Sequence, residues 1–207
     1  MRHLYQLLIL SSALTLAANS ANAADKISIN ATTSPPLFDG RCDSAEWQPA
    51  IQLELPAGVS VKLMHDTNSL YVCAMGKAQD YTVIDLYIEH GQTRQIYNLH
   101  ASAQLFERVH LDENWSDTSF WNQKDWSAFW VPYAGEEETE KGPRTRFLKG
   151  SHREVQVLRR KFPGESWKMM IGISAVEHEG SFGEDFKFPA EAVDTDPSTW
   201  AEFSFSR

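Results

Sequence analysis

From Val59 to the end of the chain, apolar side chains recur at every second position or in short unbroken runs, and polar turns separate the runs. That spacing belongs to strands, because successive side chains of a strand point to opposite faces. Val59 to His65 reads as a strand, Asp66 to Ser69 as a turn, and Leu70 to Met75 as its hairpin partner. Tyr81 to Ile88 follows, with Glu89 to Gln92 as a turn. Arg94 to His100, Gln104 to Val109, Ser127 to Tyr133, Glu154 to Arg160, Trp167 to Ser174 and Trp200 to Ser206 complete the series. So many short strands at regular spacing predict an all-β fold, an antiparallel β-sandwich of jelly-roll or immunoglobulin-like layers in a single domain. Helical signal is confined to one turn near Trp47, with Asp43 or Ser44 as its cap. Gly135 to Gly150, rich in charge, reads as an exposed excursion between strands.

The front of the chain is different. Arg2 supplies a positive start, Leu7 to Leu16 a short apolar stretch, and Ala21-Asn22-Ala23 a small-x-small cleavage signal. Residues 1–23 therefore read as a signal peptide, and 24–207 as one exported domain, secreted or periplasmic. The apolar stretch is too short to span a bilayer, and no later stretch approaches twenty apolar residues. Export sets the reading of the two cysteines. In an oxidising compartment an even pair usually forms a disulfide, so Cys42–Cys73 is expected; two buried free thiols are the alternative. A formal net charge of −9 with no basic stripe argues against nucleic acid and against anionic membrane surfaces as partners.

Leu37-Phe-Asp-Gly40, then Ala45-Glu-Trp47 and Ala50, a short strand, Asp66 and Leu70-Tyr-Val72 follow one another in an order that resembles family 9 carbohydrate-binding modules. It is also similar to the wider DOMON-like group of β-sandwiches. The similarity runs from Leu37 to Ile88, with a weaker match over Trp167 to Ile173. It implies an eight-to-eleven-strand sandwich that binds a glycan or free sugar. Some relatives hold calcium and others b-type haem. Sugar-binding relatives clamp a terminal sugar with tryptophans, one just before the strand that here is Tyr81 to Ile88. This chain has Asp80-Tyr81 there, so Tyr81 is the platform the resemblance implies. A staple from the Cys42 turn to the Cys73 strand suits the same layout.

Sugar recognition needs flat apolar faces for the C–H surface of the ring and planar polar groups for its hydroxyls. Seven Trp are the compositional excess, and four of them lie in Leu111 to Tyr133 among carboxylates and amides. Trp126 and Ala128 share one face of a strand with Trp130, so one face of it is core. Trp47, Trp167 and Trp200 sit in apolar contexts and read as core. Trp115 and Trp121 fall in turn-like sequence, where rings are harder to bury. The candidate ligand-binding residues are thus Tyr81, Trp115 and Trp121, with Asp80 and Asn122 as polar neighbours. Asp112-x-Asn114-x-Ser116-Asp117 has oxygens at alternate positions, as in a calcium loop, but lacks its Gly and its closing Glu. Asp194 and Asp196 are a second acidic pair. Haem b would need an axial pair drawn from Met64, His65, Met75, Met169 and Met170. No GxSxG and no HExxH occurs. Noncatalytic binding of an oligosaccharide or polysaccharide is the leading reading, in support of polysaccharide breakdown. A b-haem electron-transfer module and a partner-binding sandwich are the alternatives.

Overall fold

The computed structural model describes residues 26–42, 45–129, 133–147 and 150–206, with side chains at all of them except 133–136 and 145–147. The described residues form β1 (Lys26–Ala31), β2 (Ile51–Leu55), β3 (Val59–His65) and β4 (Ser69–Met75). A meander follows: β5 (Val83–Glu89), β6 (Ile96–Ala101) and β7 (Leu105–Leu111). Three short strands come next, β8 (Asn114–Trp115), β9 (Ser119–Phe120) and β10 (Trp126–Ala128). The rest are β11 (Tyr133–Thr139), β12 (Gly142–Phe147), β13 (His152–Leu158), β14 (Ser166–Ser174), β15 (Phe186–Phe188) and β16 (Ala201–Phe205).

Two layers result. One runs β16-β14-β5-β6-β7, with β15 also on β14 and with β8 and β9 on β7. The other runs β10-β13-β4-β3, with β2 on β3. All these pairs are antiparallel, as the hairpin spacing requires. The exception is β1, which the sequence reading omitted. Its first four residues lie parallel to β16 and its last two lie parallel to β3, so one strand is stitched into both layers.

Between the layers the alternating residues interleave. Val61, Leu63, Leu70, Val72, Val155 and Val157 meet Ile84, Leu86, Ile88, Met169, Ile171 and Phe203, all essentially without exposure. Each such side chain contributes roughly 1.5–3 kcal/mol by leaving water. Trp47, Trp167 and Trp200 are buried, as their contexts predict, and so is Trp126. Trp130, Asp43 and Ser44 lie outside the described residues.

The outer face of the second layer is not left to solvent. Phe38, Cys42, Trp47 and Ala50 pack over Met64, Tyr71, Cys73 and Met75. The Cys42–Cys73 disulfide pins this cover. Glu154, level with Cys73 on β13, accepts the Gly40 N–H at 2.6 Å and the Trp47 indole N–H at 3.3 Å. Gly40 has φ +81°, and a Cβ there would come within 2.8 Å of Phe129, so the turn at Asp39-Gly40 needs glycine. Residues 133–147 are paired as the β11–β12 hairpin, a two-stranded sheet of its own, where the sequence reading had an exposed excursion.

Candidate functional site

With one face of each layer in the core and the second layer's outer face covered, the outer face of the first layer is what remains. Register fixes its composition. Ile84, Leu86 and Ile88 point inward, so Asp85 and Tyr87 point outward. Gly172, Asp85, His100, Phe106 and Phe120 are successive cross-strand partners on β14, β5, β6, β7 and β9. Lys187 on β15 extends the row beyond Gly172. The neighbouring row holds Met170, Tyr87, Asn98 and Arg108.

The two rows differ in exposure. Met170 and Trp200 are fully buried, and Tyr87 nearly so, under a cover to which Trp115 belongs. Burial pushes the Tyr87 phenol up to about 12. The row from Lys187 to Phe106 is partly exposed, and Phe120 at its end is half exposed.

The partly exposed row is pre-organised. Asp85 Oδ1 accepts from the Asn98 amide at 2.8 Å and pairs with His100 Nδ1 at 2.9 Å. Arg108 donates to Asn98 Oδ1 at 2.9 Å, and its guanidinium lies 4.4 Å from the centre of the Trp115 ring. His100 stacks on Phe106 at 4.1 Å, nearly parallel, and Phe106 meets Phe120 edge-on at 5.6 Å. At the end beyond Gly172, Lys187 bonds Asp194 at 2.8 Å. Burial alone would raise the Asp194 carboxyl, but Lys187 outweighs it and holds the group below the usual range.

His100 Nε2 lies 2.9 Å from the Ser102 hydroxyl. The resulting order of carboxylate, imidazole and hydroxyl is that of a hydrolase triad. The hydroxyl, however, also accepts the Gln104 N–H and donates to the Gln104 carbonyl, each at 3.1 Å. It is tied into its own turn, so the relay fixes the orientation of the imidazole and does not present a free nucleophile. What the row offers chemically is aromatic surface beside fixed hydrogen-bonding groups.

The five residues singled out from sequence are not all brought together. Tyr81 is exposed, its N–H bonded to the Ala175 carbonyl, its carbonyl taking the buried Arg153 guanidinium, and its ring edge-on to the exposed Phe182 at 5.9 Å. Desolvation brings Arg153 down to about 10. Trp121 is 54% exposed and bonds the Leu105 carbonyl at the start of β7. Asn122 beside it is exposed. Trp115 pairs with His110, at the other end of β7 from Leu105, and its ring packs against Tyr87 and His110. The five residue steps from Leu105 to His110 separate those two positions by about 17 Å at the usual rise. Asp80 has no exposure; its carboxylate accepts the Lys77 and Glu177 N–H groups and shapes the turn. Sequence alone did not single out Asp85, Asn98, His100, Phe106, Phe120 or Gly172 as site residues; alternation on Tyr81 to Ile88 and Arg94 to His100 was a signal for the outward sense of Asp85, Asn98 and His100.

The residues weighed for cofactors do not fit them. Met64, Met169 and Met170 are buried in three apolar clusters, and both ring nitrogens of His65 face backbone carbonyls, of Asp66 and Ser206, at 2.9 and 2.8 Å. Ser116 accepts the Val109 N–H inside the Asp112 turn, and Asp196 caps the turn at Ser198. Among the described residues no three His, Cys, Asp or Glu side chains are grouped to hold a metal ion.

No family model and no curated protein matches the sequence. Among solved structures, a family 9 carbohydrate-binding module from Caldicellulosiruptor kristjanssonii is similar at a TM-score of 0.49 and 13% identity, both with cellotriose and with glucose. The match covers 88% of this chain and 94% and 96% of those chains. A candidate carbohydrate-binding protein from Bacteroides uniformis is similar at a TM-score of 0.55 and 9% identity, over 89% of this chain and 100% of that one. At that identity the likeness to the Bacteroides uniformis protein is one of fold alone, and a β-sandwich is the fold that the Leu37–Val72 motif implied.

Proposed function

We propose that the protein is an exported, noncatalytic carbohydrate-binding module whose ligand lies on the partly exposed row of the first layer. The observation that carries this reading is the row itself. Phe106 and Phe120 supply the apolar surface that the C–H face of a sugar needs, and Asp85, with Asn98 and His100 holding it, supplies a fixed acceptor for hydroxyls. Hydroxyl recognition costs little ordering when the polar groups are already bonded in place. Of the two tryptophans read as ligand platforms, Trp121 is exposed whereas Trp115 belongs to the cover over Tyr87, so Trp121 is the one kept in this reading. Residues 1–23 are the export signal on this reading, and the disulfide agrees with an oxidising destination. The solved-structure neighbours described above, a carbohydrate-binding module and a candidate carbohydrate-binding protein, favour the same class of ligand. Support of polysaccharide breakdown is the role that such a module would have.

The test is glycan-array binding by purified protein of residues 24–207, followed by Asp85→Ala and Phe106→Ala. Binding to at least one class of glycan that drops at least tenfold in both variants, with unfolding transitions intact, is the expected result. Binding unchanged in both variants refutes the site. Absence of binding to every glycan refutes the function.

A further inference from the structure

We infer that Arg153 and Thr82 hold a small inorganic anion of halide size inside the sandwich, at the end marked by Tyr81. This site stands apart from the sugar-binding face, and neither depends on the other. Arg153 is a charged residue only 1% exposed. Val155 and Val157 of β13 point into the core, so Arg153 points inward with them, and Glu154 points to the opposite face, where Gly40 and Trp47 hold it. Arg153 Nη1 and Nη2 donate to the His152 and Tyr81 carbonyls at 2.9 and 2.8 Å. Those acceptors carry no net charge, and no described carboxylate pairs with the guanidinium. Burial brings the group down only to about 10, so it stays charged at neutral pH. Buried charges in folded proteins are paired, because no water is there to solvate them. The chain has 28 acidic residues and brings no described one to this cation.

The Thr82 hydroxyl is the second observation. Thr82 has no exposure, and its Oγ1 and the Arg153 Nε–H are the two buried side-chain groups without a hydrogen-bond partner among the described residues. Two contacts bring them to one end of the sandwich. Arg153 Nη2 bonds the carbonyl of Tyr81, the residue before Thr82. Thr82 Oγ1 lies 2.5 Å from where a Cβ on Gly76 would stand, and Gly76 is two residues beyond Ala74, the register partner of Arg153. Asp80 Oδ2 lies 2.7 Å from the same point, but the Asp80 carboxylate is spent on the Lys77 and Glu177 N–H groups. Thr82 also has φ +31°, which a β-branched residue avoids, and such strain gathers at ligand clamps. An Nε–H can only donate, and a hydroxyl can donate. Two donors, one of them charged, suit a halide. A water would accept the same bonds and leave the charge unbalanced.

The experiment measures urea unfolding midpoints of wild type, Arg153→Met and Thr82→Val as sodium chloride replaces sodium methanesulfonate at constant ionic strength. General salt effects act on all three proteins alike, so the reading is the difference between them. The wild-type midpoint should rise by about 0.5 M urea or more and then level off, as a saturable site requires. Arg153→Met should show none of that rise, and Thr82→Val should need more chloride to reach it. Crystals of wild type grown in sodium bromide give a second measurement that does not depend on any variant folding. Their anomalous signal should place one bromide within hydrogen-bond distance of Arg153 Nε. A wild-type midpoint that follows Arg153→Met at every chloride concentration overturns the inference. So does a crystal with a water at Arg153 Nε and bromide only on the surface.

Discussion

The indole N–H of Trp126 donates to Glu107 at 2.8 Å, and that bond joins β10, at the edge of one layer, to β7, beside the short strands that end the other. Lys161 completes the clasp, with its ammonium 3.0 Å from the same carboxylate and its side chain only 9% exposed. Trp126→Phe keeps most of the ring and loses the bond, and should cost about 1–2 kcal/mol in urea unfolding. Glu107→Ala should cost more, about 2–4 kcal/mol, because it strands the Lys161 charge.

The disulfide cover gives a second expectation. Cys42 and Cys73 are 31 residues apart in sequence. On the chain-entropy model a loop of that length contributes about 3–4 kcal/mol. Cys42→Ala/Cys73→Ala should therefore unfold at lower temperature than wild type, and added reductant should lower only the wild-type midpoint.

Glu154 makes the fold sensitive to pH in an unusual direction. Burial pushes its carboxyl above the usual 4.5, against the pull of the Gly40 N–H and the Trp47 indole. The folded state thus holds this proton more tightly than the unfolded chain. The contribution is fully present below pH 4.5 and is lost as pH rises through the raised folded value. Glu154→Gln should remove that loss. Its stability relative to wild type should climb from about pH 4 to 7, as measured by denaturant midpoints at each pH.

Gly172→Ala should stabilise the protein by about 0.5–1 kcal/mol, because the strand no longer carries the entropy of glycine and the new methyl clashes with nothing. Differential calorimetry reads this directly. A loss of stability would mean that β14 does need glycine at this position.

Trp115→Ala separates structure from recognition. Its ring lies against Tyr87 and beneath Arg108, so the substitution should cost about 2–3 kcal/mol of stability, less than a fully buried Trp. Glycan affinity should stay within about twofold of wild type, the reverse of the pattern expected for Phe120→Ala.

Period-two alternation already told which side of each strand is apolar. That is why the hairpin at Asp66, the burial of Trp47, Trp167 and Trp200, and the Cys42–Cys73 pairing could be anticipated. Local composition misled where fate depends on distant partners. Trp115 and Trp121 look alike in sequence, six residues apart in the same polar stretch, yet Trp115 finds Tyr87 and Arg108 to cover it and Trp121 stays exposed. Asp80 looks like a ligand group beside Tyr81, but the turn it sits in spends both its oxygens on backbone N–H groups.

The sequence by itself determined most of the longer strands and their turns, the alternation of side chains along them and the covalent staple, because these follow from neighbours one to four residues apart or from two cysteines in an exported chain. The tertiary structure decided which outward face stays open. Lys187, Gly172, Asp85, His100, Phe106 and Phe120 are spread over more than a hundred positions, and only strand order and register set them in one line. Cross-strand pairing is non-local, so no window of sequence contains it.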